Sequence, residues 1–104
     1  MILVLGSLVA QEALFAKALA LSQEHVARSR AEPGCISHAV HRDVENPLRL
    51  VFVEEWQDQE ALVAHFKLPA SRAFAKAMAE ISSQPPSMSV LHASPVQLPG
   101  KSAA

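Results

Sequence analysis

The chain has 104 residues, half of them apolar and 18% charged, with a formal net charge of −1. This length fits one domain with a modest core. The near-neutral charge, without a run of Lys or Arg, argues against binding to nucleic acid or to an anionic membrane surface. The apolar fraction exceeds what a small soluble surface needs, so we expect part of the surface to be buried against a partner.

The N-terminal segment, MILVLGSLVA, is predicted to be a strand rather than a targeting segment. It has no basic residue before its apolar run, and it is shorter than the roughly 20 residues that span a bilayer. A signal peptide is the alternative interpretation. Cys35 is the only cysteine, so we expect a cytoplasmic protein in which this thiol packs; a reactive thiol is the alternative.

Apolar and small residues repeat at helical spacing from Gln11 to Ala31, which predicts a long amphipathic helix. The turn Glu32-Pro33-Gly34 should end it, because a residue before proline avoids the α region and glycine accepts a positive φ. Alternating side chains then predict a strand over residues 35–43, which ends at a turn over residues 44–47.

A second apolar strand is predicted over residues 48–56, and its middle is apolar on both faces. Asp58 is a suitable N-cap for a helix from Gln59, which should break at Leu68-Pro69. A further helical segment should start near Ala70 and end before Ser82.

A final strand is predicted over residues 87–96, and residues 97–104 are predicted to be a flexible tail. Residues 1–96 then have the element order of a ferredoxin-like α+β domain, with four antiparallel strands and the helices on one face. The other face would expose the apolar side chains of the first and third strands. We therefore expect a homodimer that forms through this face.

The stretch from Val53 to Phe74 holds the main candidate site. Glu54 and Trp56 end a strand just before the helix that carries His65, and polar groups among apolar ones are typical of a small-molecule site. A purely structural role is the alternative for each residue. His65 and Trp56 would then be packing residues.

Glu54 has its own structural alternative, which is a surface ion pair with Arg49 or Arg72. No metal site is expected. His38 and His41 are three apart on a strand and should point to opposite faces, while His25 and His92 lie on separate elements.

Several residues resemble the antibiotic biosynthesis monooxygenase family over roughly residues 1–96. The specific features are the Glu-Pro-Gly turn and the spacing of Glu54, Trp56 and His65, with eight residues between the last two. The remaining matches are Cys35, Asp58, Glu60, Ala61, Leu62, Ala64, Pro69, Phe74 and Met78.

The resemblance implies a dimeric α+β barrel with a pocket between sheet and helices in each subunit. It also implies oxidation of a small aromatic, quinol-like or enolisable substrate by O2, without a metal or other cofactor. In that reaction His65 would be the catalytic base or would stabilise the substrate anion. Trp56, Glu54, Phe74 and Met78 would bind the substrate, although Phe74 and Met78 also have the spacing of core residues.

Two departures from the family pattern bear on function. Many relatives carry a second histidine where this chain has Ala70-Ser71. The haem-degrading branch has an Asn, a Trp and a His ligand at three positions, where this chain has Gly6-Ser7, His65 and Met78. Haem binding is therefore disfavoured, and a non-catalytic ligand-binding or regulatory dimer on the same fold is the alternative function.

Overall fold

The computed structural model describes residues 1–100 of the chain. Its four strands form one antiparallel sheet in the order β2-β3-β1-β4, which confirms the ferredoxin-like α+β fold. The elements are β1 (Ile2–Val9), α1 (Phe15–Ser29), β2 (Cys35–Arg42), β3 (Arg49–Trp56), α2 (Gln59–Lys67), α3 (Pro69–Ile81) and β4 (Ser87–His92).

Helix α1 is shorter than the predicted 11–31. A 3₁₀ turn over Glu12–Leu14 precedes it, and Gln11 makes no side-chain cap to the first N–H groups. An uncapped helix start commonly tightens into such a turn. The buried positions follow the predicted spacing and are Ala18, Ser22, His25, Val26 and Ser29.

Gly34 has a φ of +82°, and a Cβ at this position would lie 2.5 Å from Cβ of Ala61. Glycine is thus required both by the backbone conformation and by the close approach of α2. The backbone N–H of Gln57 donates to the Gly34 carbonyl at 2.8 Å. The turn after α1 is therefore held against the start of α2, which brings Glu32 near the candidate site.

The break between α2 and α3 lies at Leu68, which ends one helix and precedes the other. Pro69 occupies the first turn of α3, where its missing N–H costs nothing, so this helix starts one residue before the predicted Ala70. The predicted N-cap is confirmed, because Oδ1 of Asp58 accepts from the Ala61 N–H at 2.8 Å.

Strand β4 is shorter than predicted and ends at His92 rather than Val96. His92 pairs with Ile2 at the start of β1, so no strand remains for residues beyond it to pair with. The predicted mobility of residues 97–104 remains a prediction, and residues 101–104 lie outside the described part of the chain.

Alternate residues of β3 face the helices, and Leu50, Phe52, Glu54 and Trp56 are all buried there. Two apolar clusters form on this side of the sheet. The larger consists of Leu8, Ala10, Ala18, Leu50, Phe52, Met78 and Ile81, and the smaller of Ile2, Val4, Trp56 and Leu62. Burial of such side chains is the main driving force for folding.

The opposite face of the sheet carries no helix. Leu5 lies at its centre, paired with Val53 of β3 and with Ser89 of β4, and 40% of its surface is exposed. Leu91, on the same face, is also exposed. None of the helices within residues 1–100 is both long and apolar enough to cross a membrane.

Candidate functional site

Three histidines from three different elements meet on the helix-covered side of the sheet. They are His25 of α1, His38 of β2 and His65 of α2, with 5%, 2% and 3% of their surfaces exposed. Their ring centroids lie 5.2 to 5.8 Å apart. Each ring reaches this place because it lies on the buried side of its own element. In α1 and α2 the buried positions recur at helical spacing, and in β2 the side chains alternate between the two faces of the sheet.

His65 is held by groups at its Nδ1 atom. Oε1 of Glu32 lies 2.8 Å from this atom, and Oγ of Ser71 lies 3.5 Å from it. A carboxylate can only accept, so Nδ1 carries a proton and Nε2 is left for other partners. On one side the ring packs against Trp56, with centroids 4.6 Å apart.

Glu54 is buried, and its Oε1 atom accepts a hydrogen bond from Nε1 of Trp56 at 3.0 Å. Burial alone would raise the pKa of this carboxyl, but His38 and the Trp56 N–H together hold its pKa below the usual value. The predicted surface pairing with Arg49 or Arg72 is therefore wrong. Inward alternation along β3 takes Glu54 away from the surface.

Arg49 instead lies 3.0 Å from Oδ2 of Asp43. Nε2 of His38 lies 3.2 Å from Oε1 of Glu54, which suits an ion pair. This contact is not a hydrogen bond, and Nδ1 of His38 has no hydrogen-bond partner among residues 1–100 either.

His25 stacks on Phe74, with ring centroids 3.9 Å apart and planes within 3° of parallel. Its Nδ1 atom lies 2.9 Å from Nη2 of Arg28. Arginine can only donate, so Nδ1 accepts and the neutral ring carries its proton on Nε2. Burial, followed by the neighbouring His38 and His65, lowers the pKa of His25 from 6.5 to about 3, so the ring is neutral near pH 7.

A cavity of about 170 Å³ adjoins this cluster. Four of the predicted site residues line it, namely His65, Glu54, Phe74 and Met78. Trp56 does not, because it is fully buried behind His65 and Glu54. The other lining residues are Gly6, Ser7, Leu8, His25, Phe52, Phe66, Ser71, Ala75, Pro86, Ser87 and Met88.

Sequence reasoning missed three residues of this site, which are Glu32, His25 and His38. The location of the histidines on separate elements did not justify excluding a shared site, because the fold brings those elements together. His38 and His41 do point to opposite faces, as predicted, with His38 buried and His41 exposed. Strand alternation was therefore the available signal for His38.

The sequence profile of the family described as antibiotic biosynthesis monooxygenase matches residues 1–77, well over half of the chain. The chain belongs to the antibiotic biosynthesis monooxygenase family. Residues of the candidate site fall within the matched range, apart from Met78 of α3, Pro86, and Ser87 and Met88 of β4.

Similarities to individual proteins agree with this family. A crystal structure of an antibiotic biosynthesis monooxygenase is 25% identical, covers 91% of this chain and 100% of its own, and has a TM-score of 0.84. Rv0793 from Mycobacterium tuberculosis is 21% identical, with 95% and 98% of the two chains covered and a TM-score of 0.83, and it shows the same fold.

A curated relative, the uncharacterized protein sll1783 from Synechocystis, is 34% identical over 67 residues. The match covers 64% of this chain and 46% of the relative. This member of the monooxygenase family thus spans about half the length of the curated protein that it matches.

Cys35 of this family member is half-buried. Burial, with the nearby carboxyls of Glu32 and Glu54, raises the pKa of the thiol. Reactive cysteines have a lowered pKa instead. The environment therefore favours the packing role expected for this residue.

The stability of this family member should depend on pH through His25. Above pH 6.5 the ring is neutral in both the folded and the unfolded state, whereas between pH 6.5 and about 3 only the unfolded chain takes up this proton. Stability should therefore fall as pH falls through that window, by at most about 1.4 kcal/mol per pH unit for this group. In His25→Phe, which can keep the stack on Phe74, the slope should be shallower.

Urea unfolding at several values between about pH 4 and 6 measures this slope. His41→Phe is the matched control, because His41 is exposed and should leave the slope unchanged. Equal slopes in the wild type and His25→Phe would contradict the prediction.

Proposed function

We propose that the protein is a cofactor-independent monooxygenase or quinol oxidase that acts on a small quinol-like or other enolisable aromatic compound. The observation that carries the proposal is that His65 lines a largely apolar cavity and is held at its Nδ1 atom by Glu32. Membership of the family supports chemistry of the monooxygenase type. The substrate and the steps below are our proposal.

His65 is the base in this reaction. The carboxylate of Glu32 accepts the Nδ1–H and so orients the ring, leaving the Nε2 lone pair to take a proton from a phenol or enol. Ser71 adds a second contact at Nδ1. It belongs to the Ala70-Ser71 pair, where the resemblance implies a second histidine in many relatives. One oriented imidazole is sufficient for the deprotonation.

The substrate anion would lie beside His25, which also lines the cavity. Because Arg28 donates to Nδ1, the neutral His25 ring presents its Nε2–H as a donor for the anionic oxygen. A fixed donor in an apolar cavity stabilises an anion more than water-exposed donors do. Phe74 and Phe52 supply aromatic surface for a ring-shaped substrate.

The electrons come from the substrate itself. The quinol anion loses two electrons and its remaining hydroxyl proton to become a quinone. O2 takes up these two electrons, this proton and the proton held by His65 to give hydrogen peroxide. If the reaction is instead an oxygenation, a ring methylene becomes a carbonyl. One oxygen atom of O2 enters the product and the other leaves as water. Neither reaction needs a further reductant.

The test is oxygen consumption by chelator-treated protein with a panel of hydroquinones and anthrones, compared with the same solutions without protein. We expect consumption above this background and saturation with substrate. Saturable binding without oxygen consumption, read from the fluorescence of the only tryptophan, Trp56, would instead support the non-catalytic ligand-binding dimer.

We also propose that two copies pair through the helix-free face of the sheet. Leu5 and Leu91 are exposed on this face, and Leu3, Val51 and Val53 are only partly buried there. Covering such a face by a second copy would remove its apolar surface from water. Two sheets facing each other in this way would form the dimeric barrel.

The variant Leu5→Asp should convert the dimer into a monomer at micromolar concentration. Its charge would be buried without a partner in the interface, whereas in a single chain Leu5 is 40% exposed. Size-exclusion chromatography with light scattering measures the mass. Val63→Asp is the control, since Val63 is similarly exposed but lies on α2. A monomeric wild type would refute the proposed dimer.

A further inference from the structure

We propose that His25, His38 and His65 form a binding site for one divalent first-row transition-metal ion, with Zn²⁺ as the probe. This inference is independent of the proposed function, because it rests on the arrangement of the three imidazoles. It assigns to these residues a property that the monooxygenase reaction does not require.

The geometry is close to that of a three-histidine site. One nitrogen from each ring can be chosen so that the three atoms lie within 4.8 Å of one another. Three nitrogens at 2.0–2.1 Å from a tetrahedral zinc ion lie roughly 3.4 Å apart. Rotations of the side chains that shorten the longest separation by about 1.4 Å would therefore complete the site.

His38 provides an independent observation. Its side chain is fully buried. Nε2 lies 3.2 Å from Oε1 of Glu54, whereas Nδ1 has neither a hydrogen-bond partner nor an ion-pair partner among residues 1–100. An unpartnered buried polar group destabilises a protein. A metal ion bound to Nδ1 would provide the missing partner.

His65 already has the environment of a metal ligand. Metal-binding histidines commonly donate their other ring N–H to a carboxylate, which orients the ring and makes it a better ligand. Glu32 accepts from Nδ1 of His65 in this manner, and Nε2 is left for the ion. An ion bound there takes the lone pair that the base needs, so the two uses of His65 are alternatives.

His25 satisfies the requirement for a neutral ligand, because Arg28 donates to its Nδ1 atom and the ring is therefore in a neutral tautomer. The present contact with Arg28 leaves a proton on Nε2, so ligation needs Arg28 to release Nδ1. Arg28 is exposed and is free to turn toward solvent. The charge balance is also suitable, because the carboxylates of Glu32 and Glu54 lie beside the cluster.

The type of ion follows from the ligands. Imidazole nitrogen suits Zn²⁺, Cu²⁺, Fe²⁺ and Ni²⁺, whereas Mg²⁺ and Ca²⁺ prefer oxygen. Two of the three histidines, His25 and His65, line the cavity, so a water or another small ligand has access to the remaining coordination position.

Calorimetric titration of the chelator-treated full chain with Zn²⁺ tests the proposal. We expect one ion per chain in the wild type, and a visible d–d spectrum typical of tetrahedral coordination when Co²⁺ is used instead. Glu32→Gln should weaken binding about 10- to 100-fold, because it keeps all three ligands and weakens only the orientation of His65. His25→Gln, His38→Gln and His65→Gln should each weaken it further.

The chain contains its own control in its two other histidines. Both His41 and His92 are exposed, so the double variant His41→Gln/His92→Gln should bind Zn²⁺ as the wild type does. Thermal unfolding of each metal-free variant identifies those that fail to fold. If the wild type does not bind one Zn²⁺ per chain, the proposal is overturned whatever the variants do. It is also overturned if only the double variant His41→Gln/His92→Gln loses binding.

The two proposals fail separately. Oxygen consumption is measured on chelator-treated protein, and metal binding is measured by heat and by Co²⁺ absorption without substrate. A protein that consumes oxygen but binds no Zn²⁺ would retain the proposed function and lose the metal site. A protein that binds Zn²⁺ but consumes no oxygen would retain the metal site and lose the proposed function.

Discussion

Replacing His65 by alanine should lower the rate of oxygen consumption of the chelator-treated protein about 10²- to 10⁴-fold, which is the usual contribution of a general base. The expectation follows from the position of the ring. Glu32 holds its Nδ1 atom, and the ring lines the cavity, so the variant loses the only base oriented in this manner within the described residues. Initial rates with the best substrate of the hydroquinone and anthrone panel provide the measurement.

The control for this variant is His92→Ala. His92 is exposed at the end of β4 and contributes nothing to the lining of the cavity beside His65, so its replacement should leave the rate unchanged. Glu32→Gln adds a second readout, because it leaves the imidazole in place and should shift the pH profile of the rate. An unchanged rate in folded His65→Ala would remove the mechanistic role assigned to this residue.

Replacing Trp56 by alanine should lower the free energy of unfolding by about 3–5 kcal/mol, as for other large buried aromatic side chains. Trp56 is completely buried, belongs to the smaller apolar cluster and packs against the ring of His65. Its removal would leave a cavity and would also take the hydrogen-bond donor from Glu54. Urea unfolding at a fixed protein concentration measures the change, since dimerisation would make stability depend on concentration.

Trp56→Phe separates the two contributions. It keeps most of the apolar volume but removes the N–H group together with part of the indole ring, so we expect a loss of about 1–3 kcal/mol, mainly from the hydrogen bond that Glu54 loses. A loss below about 1 kcal/mol in Trp56→Ala would show that this ring is not part of the core. The outcome also bears on function, because a core role explains why Trp56 lies behind the cavity rather than at its wall.

The fold could be predicted because each element has its own local signal. Alternating side chains marked β2 and β3, apolar runs marked β1, and Asp58 and Pro69 marked helix starts within one residue. Element ends were less accurate. The tight turn over Glu12–Leu14 and the end of β4 at His92 depend on the capping and the strand pairing of the folded chain.

The candidate site was only partly predictable. His65, Glu54, Phe74 and Met78 do line one cavity, and they lie within a continuous part of the sequence. Glu32 lies 33 residues before His65, and it reaches Nδ1 because the turn at Gly34 packs against α2. No spacing rule connects such residues, since their separation along the chain is unrelated to their distance in the fold.

The sequence by itself determined the α+β fold, the family and the histidine at the cavity, because short-range periodicity and local motifs encode them. The tertiary structure alone decided that Glu32 orients His65, that Glu54 is buried against Trp56, and that His25 and His38 join His65 in one cluster. These are contacts between elements, and packing of α1 and α2 against the sheet creates them. The side chains that surround a buried ring are set by the packing of separate elements. Local sequence patterns do not specify that packing.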